Sequence, residues 1–219
     1  FRSTRAEKVD SGYKINGSKL YITNSPMADF MMLAARTAPE LKPSAISLFI
    51  VELPNAAVEI SHLKKEGLKG SETGLLYIED LFVPDDCLLG HTEGTYPVIL
   101  ESLTENRVGV SASVLGVAKG AYEEALDYAR DRIVADKPIL EYQAVAHRLA
   151  DMVSDIEAAH WMVYHGAWQV DQGGIDHESA AKIKLFVSEA AFRVTERAIR
   201  VLGGAGMMRE YGVGRHHRD

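Results

Sequence analysis

Near Gly90 the apolar residues of this chain change their spacing, and that switch restricts the fold more than any other feature. Before it, they recur in short alternating runs, the period of two that a pleated strand imposes. "GYKINGSKLYITN" (12–24) alternates around Gly17, with Asn16-Gly17 as a hairpin signal. "DFMMLAART" (29–37), "ISLFIVEL" (46–53), "AVEISHL" (57–63) and "GLLYIEDLFVP" (74–84) read as further strands bounded by turn residues. After the switch, three runs at 97–132, 139–170 and 177–202 carry apolar residues at helical spacing. Each run exceeds the usual helix of about 11–12 residues. The joints "VADKP" and "DQGGID" are short enough to set neighbouring helices antiparallel. The expectation is an α+β fold: an antiparallel β-barrel or sandwich over 1–93, then an up-and-down helical bundle over 94–219. The boundary is expected in "LLGHTEGT" (88–95).

Composition narrows the function classes. A chain of 219 residues has ample core for this plan. Its net charge of −7 argues against a nucleic-acid-binding surface. Cys87 is its sole cysteine, so no internal disulfide can form, which fits a reducing compartment. No run of 18 apolar residues occurs, so no membrane span is expected. "FRSTRAEKVD" lacks both a starting methionine and the apolar stretch of a signal peptide, and it opens within a strand pattern. A fragment, or a chain trimmed at both ends, is expected.

Several short stretches invite a chemical reading. "YITN" (21–24) is a strand end turned by Asn24-Ser25-Pro26. "GLKGSETG" (67–74) reads as a bulge or turn, with a phosphate-facing loop as the sharper alternative. Arg132 follows a long helix and complements its dipole; Gln143 lies eleven residues further on. Gly203, Gly204 and Gly206 stop a helix, whereas the glycines of a dinucleotide fingerprint start one. His160 and His165 are five apart, His216 and His217 adjacent, and no HExxH or CxxC occurs, so no metal site is expected. Glu101, Glu105, Glu123 and Glu124 lie on the first long helix and default to solvated surface. A catalytic carboxylate would need a partly buried setting.

Taken in order, these pieces resemble the acyl-CoA dehydrogenase family over nearly the whole chain. "GYKINGSKLYITN" is similar to that family's middle-domain opening, which ends in W/Y-I-T-N. "LKGSETGLLYIEDLFVPDDCLLG" resembles its R/K-G-S-x-T signature and the strand that follows. "ENRVGVSASVLGVAKGAYEEALDYARDR" resembles its first long C-terminal helix. Gly203, Gly204, Gly206, Met207, Glu210, Arg215 and Asp219 fall at the spacings of its C-terminal signature. Arg200 departs from that signature, and so do Ala135 and Asp136, which stand where an aromatic and a glycine usually follow the arginine.

The resemblance implies FAD-dependent α,β-dehydrogenation of an acyl-CoA thioester, with electrons passed to an electron-transfer flavoprotein. It implies a homodimer or homotetramer in the bacterial cytoplasm or the mitochondrial matrix. Tyr21, Ile22 and Thr23 would meet the flavin ring. Arg132, Gln143, Gly203 and Gly204 would meet the FAD of a neighbouring subunit. The family's usual catalytic glutamate is expected beyond Asp219. Some members carry the base directly before the arginine of the "NR" pair, which here is Asn106, an amide that cannot take a proton; Glu105 is turned about 100° away around the helix. Arg107 of that pair would face the substrate. An oxidase or flavin monooxygenase on the same fold shares every one of these motifs. A flavin-free scaffold or partner subunit would suit Asn106, Ala135, Asp136 and Arg200.

Overall fold

A computed structural model describes residues 4–38, 45–90 and 95–219. The chain divides into two compact units, 1–101 and 102–219. The boundary expected at 93/94 lies outside the described residues.

The first unit is built on seven strands, β1 (Arg5–Val9), β2 (Gly12–Thr23), β3 (Phe30–Arg36), β4 (Ile46–Glu52), β5 (Val58–His62), β6 (Thr73–Pro84) and β7 (Leu88–Leu89). They form one sheet in the order β5-β6-β2-β1-β3-β4-β7. Alternation dictates its core: Tyr13 and Ile15 of β2, Leu33 of β3, Phe49 of β4 and Leu76 and Leu81 of β6 are buried. The Tyr13 and Phe49 rings meet edge to face at 5.0 Å.

Two features differ from the sequence expectation. The sheet is mixed, because β1 and β3 run parallel at Arg5 and Arg36, where the Arg36 N–H donates to the Thr4 carbonyl (3.0 Å). Asn16-Gly17 is also no turn. The chain reverses between β1 and β2 at Asp10-Ser11, and β2 runs straight through Asn16. Asn16 instead serves a bulge in β6. Between the pairs Ile15–Leu81 and Gly17–Ile78, β6 spends three steps against two on β2. Asp80 takes φ 51 there, and Asn16 Oδ1 accepts from its N–H (2.7 Å) while Nδ2 donates to its carboxylate (3.1 Å).

The second unit is a bundle of three long helices and a short fourth: α1 (Thr95–Asp131, its first residues belonging to the first unit), α2 (Gln143–Asp171), α3 (His177–Leu202) and α4 (Val213–Arg218). α1 presents Ala118, Ala121, Ala125 and Ala129 to the core, a stripe of small side chains that admits the larger Met152, Val187 and Val194 of α2 and α3. The Asp176 carboxylate caps α3 by accepting from the Ser179 N–H (2.8 Å). Asp155 of α2 receives Arg193 (2.8 Å) and Arg197 (3.0 Å) of α3, and Gly166 faces Ile183, so α2 and α3 run antiparallel. The expected helix over 139–142 is instead a 3₁₀ turn, Ile139–Glu141.

Between α1 and α2 sits a small hairpin, β8 (Ile133–Val134) and β9 (Lys137–Pro138). Its two turn residues, Ala135 (φ 46) and Asp136 (φ 65), both occupy the left-handed region. A two-residue turn of this kind favours Asn-Gly, and an alanine there is strained. The double change Ala135→Asn, Asp136→Gly is expected to raise the unfolding free energy by about 1 kcal/mol. A urea midpoint unchanged or lowered by the pair would contradict this turn assignment.

Candidate functional site

In the first unit the two β-side motifs lie side by side. Ile22 pairs with Gly74 and Thr23 with Thr73, which places "YITN" against the end of "GLKGSETG". A second bulge precedes them. Between Lys19–Leu76 and Ile22–Gly74, β2 spends three steps against two on β6, and Tyr21 adopts φ 59. The bulge aims Tyr21 outward, leaving it 73% exposed, while Ile22 stays half-buried. The motif is fixed below: Asn24 N–H donates to the Glu72 carbonyl (2.8 Å), and Ser25 Oγ donates to the Ile22 carbonyl (2.9 Å). Gly74 has no space for a side chain, because Ser25 and Ile60 crowd it. Thr23 thus ends a braced strand and is exposed.

In the second unit, the helix ends enclose a cleft of about 540 Å³. Arg132 and Tyr128 form one side; Gly204, Met208, Glu210 and Tyr211 form the other. Two sequence-distant motifs, the arginine after α1 and the glycine group after α3, therefore reach one cavity. The three glycines have separate reasons. Gly203 ends α3 at φ 60, ψ −128, a conformation for glycine alone. Gly206 is buried, and a Cβ there would lie 2.5 Å from the Ile199 carbonyl oxygen. Gly204 has neither constraint: nothing in the chain lies within 4 Å of where its Cβ would be. Its bare backbone faces the open cleft beside a guanidinium, an arrangement suited to an anion.

Not every expected residue joins this cleft. Gln143 starts α2 and is exposed, outside the lining. Asn106 and Glu105 are exposed on α1, and Arg107 is half-buried there. Sequence reasoning missed Tyr128 and Tyr211, whose rings meet edge to face at 5.7 Å across the cleft's base. It also missed Glu124, read as surface, which accepts from His216 Nε2 (3.0 Å). The signal was present in the spacing: Gly120, Glu124 and Tyr128 recur every four residues along α1, and Arg132 follows four residues on, just past its end.

Comparison with known proteins also finds two parts in the chain. Residues 1–81 match the family profile "Acyl-CoA dehydrogenase, middle domain", and residues 94–219 match "Acyl-CoA dehydrogenase, C-terminal domain". A subunit of the caffeyl-CoA reductase-Etf complex of Acetobacterium woodii is 34% identical over 218 residues, covering 99% of this chain and 58% of the relative. The structure of butyryl-CoA dehydrogenase from Megasphaera elsdenii superposes with a TM-score of 0.94 at 35% identity, covering 98% of this chain and 57% of that one. PigA, solved with FAD and proline, superposes with a TM-score of 0.93 at 30% identity, covering 99% and 57%. The chain thus spans a little over half the length of the relatives it matches.

Lys19, just before the Tyr21 bulge, gives the β-side motif a measurable charge. Its Nζ donates to the Ala34 carbonyl (2.6 Å), and burial lowers its pKa from 10.5 to about 8. Below about pH 8 the amine is charged in both folded and unfolded chains, and folding bears the desolvation cost in full. Between about 8 and 10.5 the folded chain has shed the proton that the unfolded chain keeps, so this group's contribution to stability rises with pH. The stability of the wild type relative to Lys19→Met should therefore increase from pH 8 to 10.5. Denaturation curves with a flat difference across that window would contradict the burial of this amine.

Proposed function

The chain belongs to the acyl-CoA dehydrogenase family, and from that premise we propose that its protein is an FAD-dependent enzyme that introduces an α,β double bond into an acyl-CoA thioester. The observation that carries the proposal is the meeting of Arg132 and Gly204 at one cleft, where the fold itself gives no reason for Gly204 to lack a side chain. Bound FAD supplies the acceptor for the hydride that leaves Cβ. The chain's own share is binding and orientation. Thr23 offers its hydroxyl at the end of a braced strand, Tyr21 and Ile22 precede it, and the bulge sets Tyr21 outward and Ile22 half-buried. Arg132 offers two parallel N–H donors to a phosphate, and Gly203 and Gly204 let backbone N–H groups approach without Cβ interference. Gln143, near the same end of the bundle, contributes from outside the cleft.

The cofactor held at Arg132 is that of a neighbouring subunit, so FAD binding and assembly into a homodimer or homotetramer are coupled. The similarity to the caffeyl-CoA reductase-Etf complex subunit supports an electron-transfer flavoprotein as the acceptor of the electrons. The proton at Cα needs a carboxylate base, and Asn106 cannot serve as one. A second reading, an oxidase or monooxygenase on the same fold, shares every one of these motifs, and the likeness to PigA, solved with FAD and proline, leaves the substrate class open. Rapid reaction of the reduced protein with oxygen would select it.

Two substitutions in the full-length protein test the proposal. Arg132→Ala removes a charge-assisted contact of about 1.5–3 kcal/mol, so FAD should bind roughly ten- to a hundredfold more weakly and the oligomer should dissociate more readily. Unchanged FAD affinity, or full FAD binding by a monomer, would refute the inter-subunit site. Thr23→Val keeps the shape and removes one neutral hydrogen bond, about 0.5–1.5 kcal/mol. An identical flavin spectrum, potential and turnover in that variant would sink the assignment of Thr23.

A further inference from the structure

We propose that Glu124 and His216 are positioning residues for the nucleotide cleft, tying the segment that forms one wall to α1, the helix that Arg132 follows. The inference rests on the reading of the cleft as a cofactor site. Its geometry begins on α1, where Gly120, Glu124 and Tyr128 stand four residues apart, and Arg132 follows directly after the helix ends. The first three meet the C-terminal segment. Gly120 leaves room for the His216 ring, since a Cβ there would lie 3.1 Å from Cε1. Glu124 Oε1 accepts from His216 Nε2 at 3.0 Å, and Tyr128 meets Tyr211. Arg132, the fourth, lines the cleft.

The wall opposite Arg132 is the stretch between Gly203 and Gly212, and each of its ends is fixed. One end is set by Gly206 against the Ile199 carbonyl. The other is α4, which is anchored three ways. Val213 is fully buried, His217 Nδ1 bonds Thr195 Oγ1 of α3 (3.0 Å), and His216 bonds Glu124 of α1. The first two hold α4 to the bundle's core and to α3. The last is the polar link to α1, and so it sets the spacing between the wall and Arg132.

The chemistry makes that link directional. An ionised carboxylate can only accept, so Nε2 carries the proton. The His216 side chain is 14% exposed. Glu124 Oε2 is fully buried and has no hydrogen-bond partner among the described residues, so the imidazole donor is the carboxylate's one hydrogen bond there. The Glu124 side chain as a whole is 37% exposed, so without the imidazole donor water can take its place at Oε1, and the segment loses its tie to α1.

The test measures FAD dissociation from the full-length protein by the recovery of flavin fluorescence, for wild type, His216→Leu, His216→Gln, Glu124→Ala and the Glu124→Ala, His216→Leu pair. His216→Leu keeps the bulk and removes the donor, so FAD should bind about tenfold more weakly. His216→Gln places an amide N–H near the position of Nε2 and should recover most of that loss. Glu124→Ala should match His216→Leu, and the pair should be no weaker than either single change. The inference is overturned if His216→Leu binds FAD as the wild type does. It is equally overturned if His216→Gln is as weak as His216→Leu, because shape and not the hydrogen bond would then be at work. Should His216→Leu fail to fold, His216→Gln against Glu124→Ala decides: wild-type affinity in the first with a loss in the second supports the link, and equal affinities overturn it. Arg132→Ala separates the two readings. If it binds FAD normally, the cofactor site is wrong; if it loses FAD while His216→Leu does not, only the present inference fails.

Discussion

The helical unit depends on one close approach. After α3 ends, the backbone passes so near its last turn that a Cβ at Gly206 would lie 2.5 Å from the Ile199 carbonyl oxygen and 3.2 Å from its Cα. No other residue type fits, because the obstacle is backbone and cannot rotate away. From that point the chain is committed to lie against the bundle. Gly212 turns it again at φ 72, Val213 drops into the core, and Tyr211 arrives at Tyr128. The cleft is the space left between these fixed points. Its shape therefore follows from packing, while its chemistry follows from what happens to face it: a guanidinium, a carboxylate and an unobstructed glycine backbone.

The sheet of the first unit uses irregularity for a comparable end. A regular strand would send Leu20, Tyr21 and Ile22 alternately to the two faces. The extra residue in β2 breaks that alternation, so that Ile22 returns to the half-buried side and Tyr21 projects into solvent. The earlier bulge lies in the partner strand, at Asp80. Each strand of the pair carries one, and the two extra residues bring β2 and β6 back into step before Thr23 meets Thr73.

Much of this is legible in the sequence, for definite reasons. The long helices are visible because apolar residues repeat over many turns, and the strand runs from 29 to 84 are visible because they alternate between turn residues. Asn16-Gly17 misleads because a hairpin and a bulge ask for the same local chemistry. What separates them is Asp80, 64 residues away, whose amide and carboxylate hold the Asn16 side chain. The parallel contact of β1 with β3 is likewise a long-range pairing with no local mark. In the cleft, Arg132 and the glycines stand out as motifs, but their meeting is a product of the fold. Glu124 reads as surface because a carboxylate on an amphipathic helix usually is; its covering comes from α4, 92 residues on.

Arg132 shows how local structure can fix the backbone from which a long side chain enters a cleft. It emerges where α1 ends, and a free loop there would be costly to order. The hairpin prevents this. The Ile139 N–H donates to the Arg132 carbonyl (2.8 Å), the Tyr142 hydroxyl donates to the Val134 carbonyl (2.8 Å), and the Lys137 ammonium sits 4.3 Å above the Tyr142 ring. These contacts hold the backbone at Arg132 although Ala135 and Asp136 occupy a conformation that suits neither well. The strain in the turn and the order at Arg132 are thus two aspects of one hairpin. Its closing hydrogen bonds outweigh the left-handed alanine, and what they leave to be ordered is the arginine side chain alone.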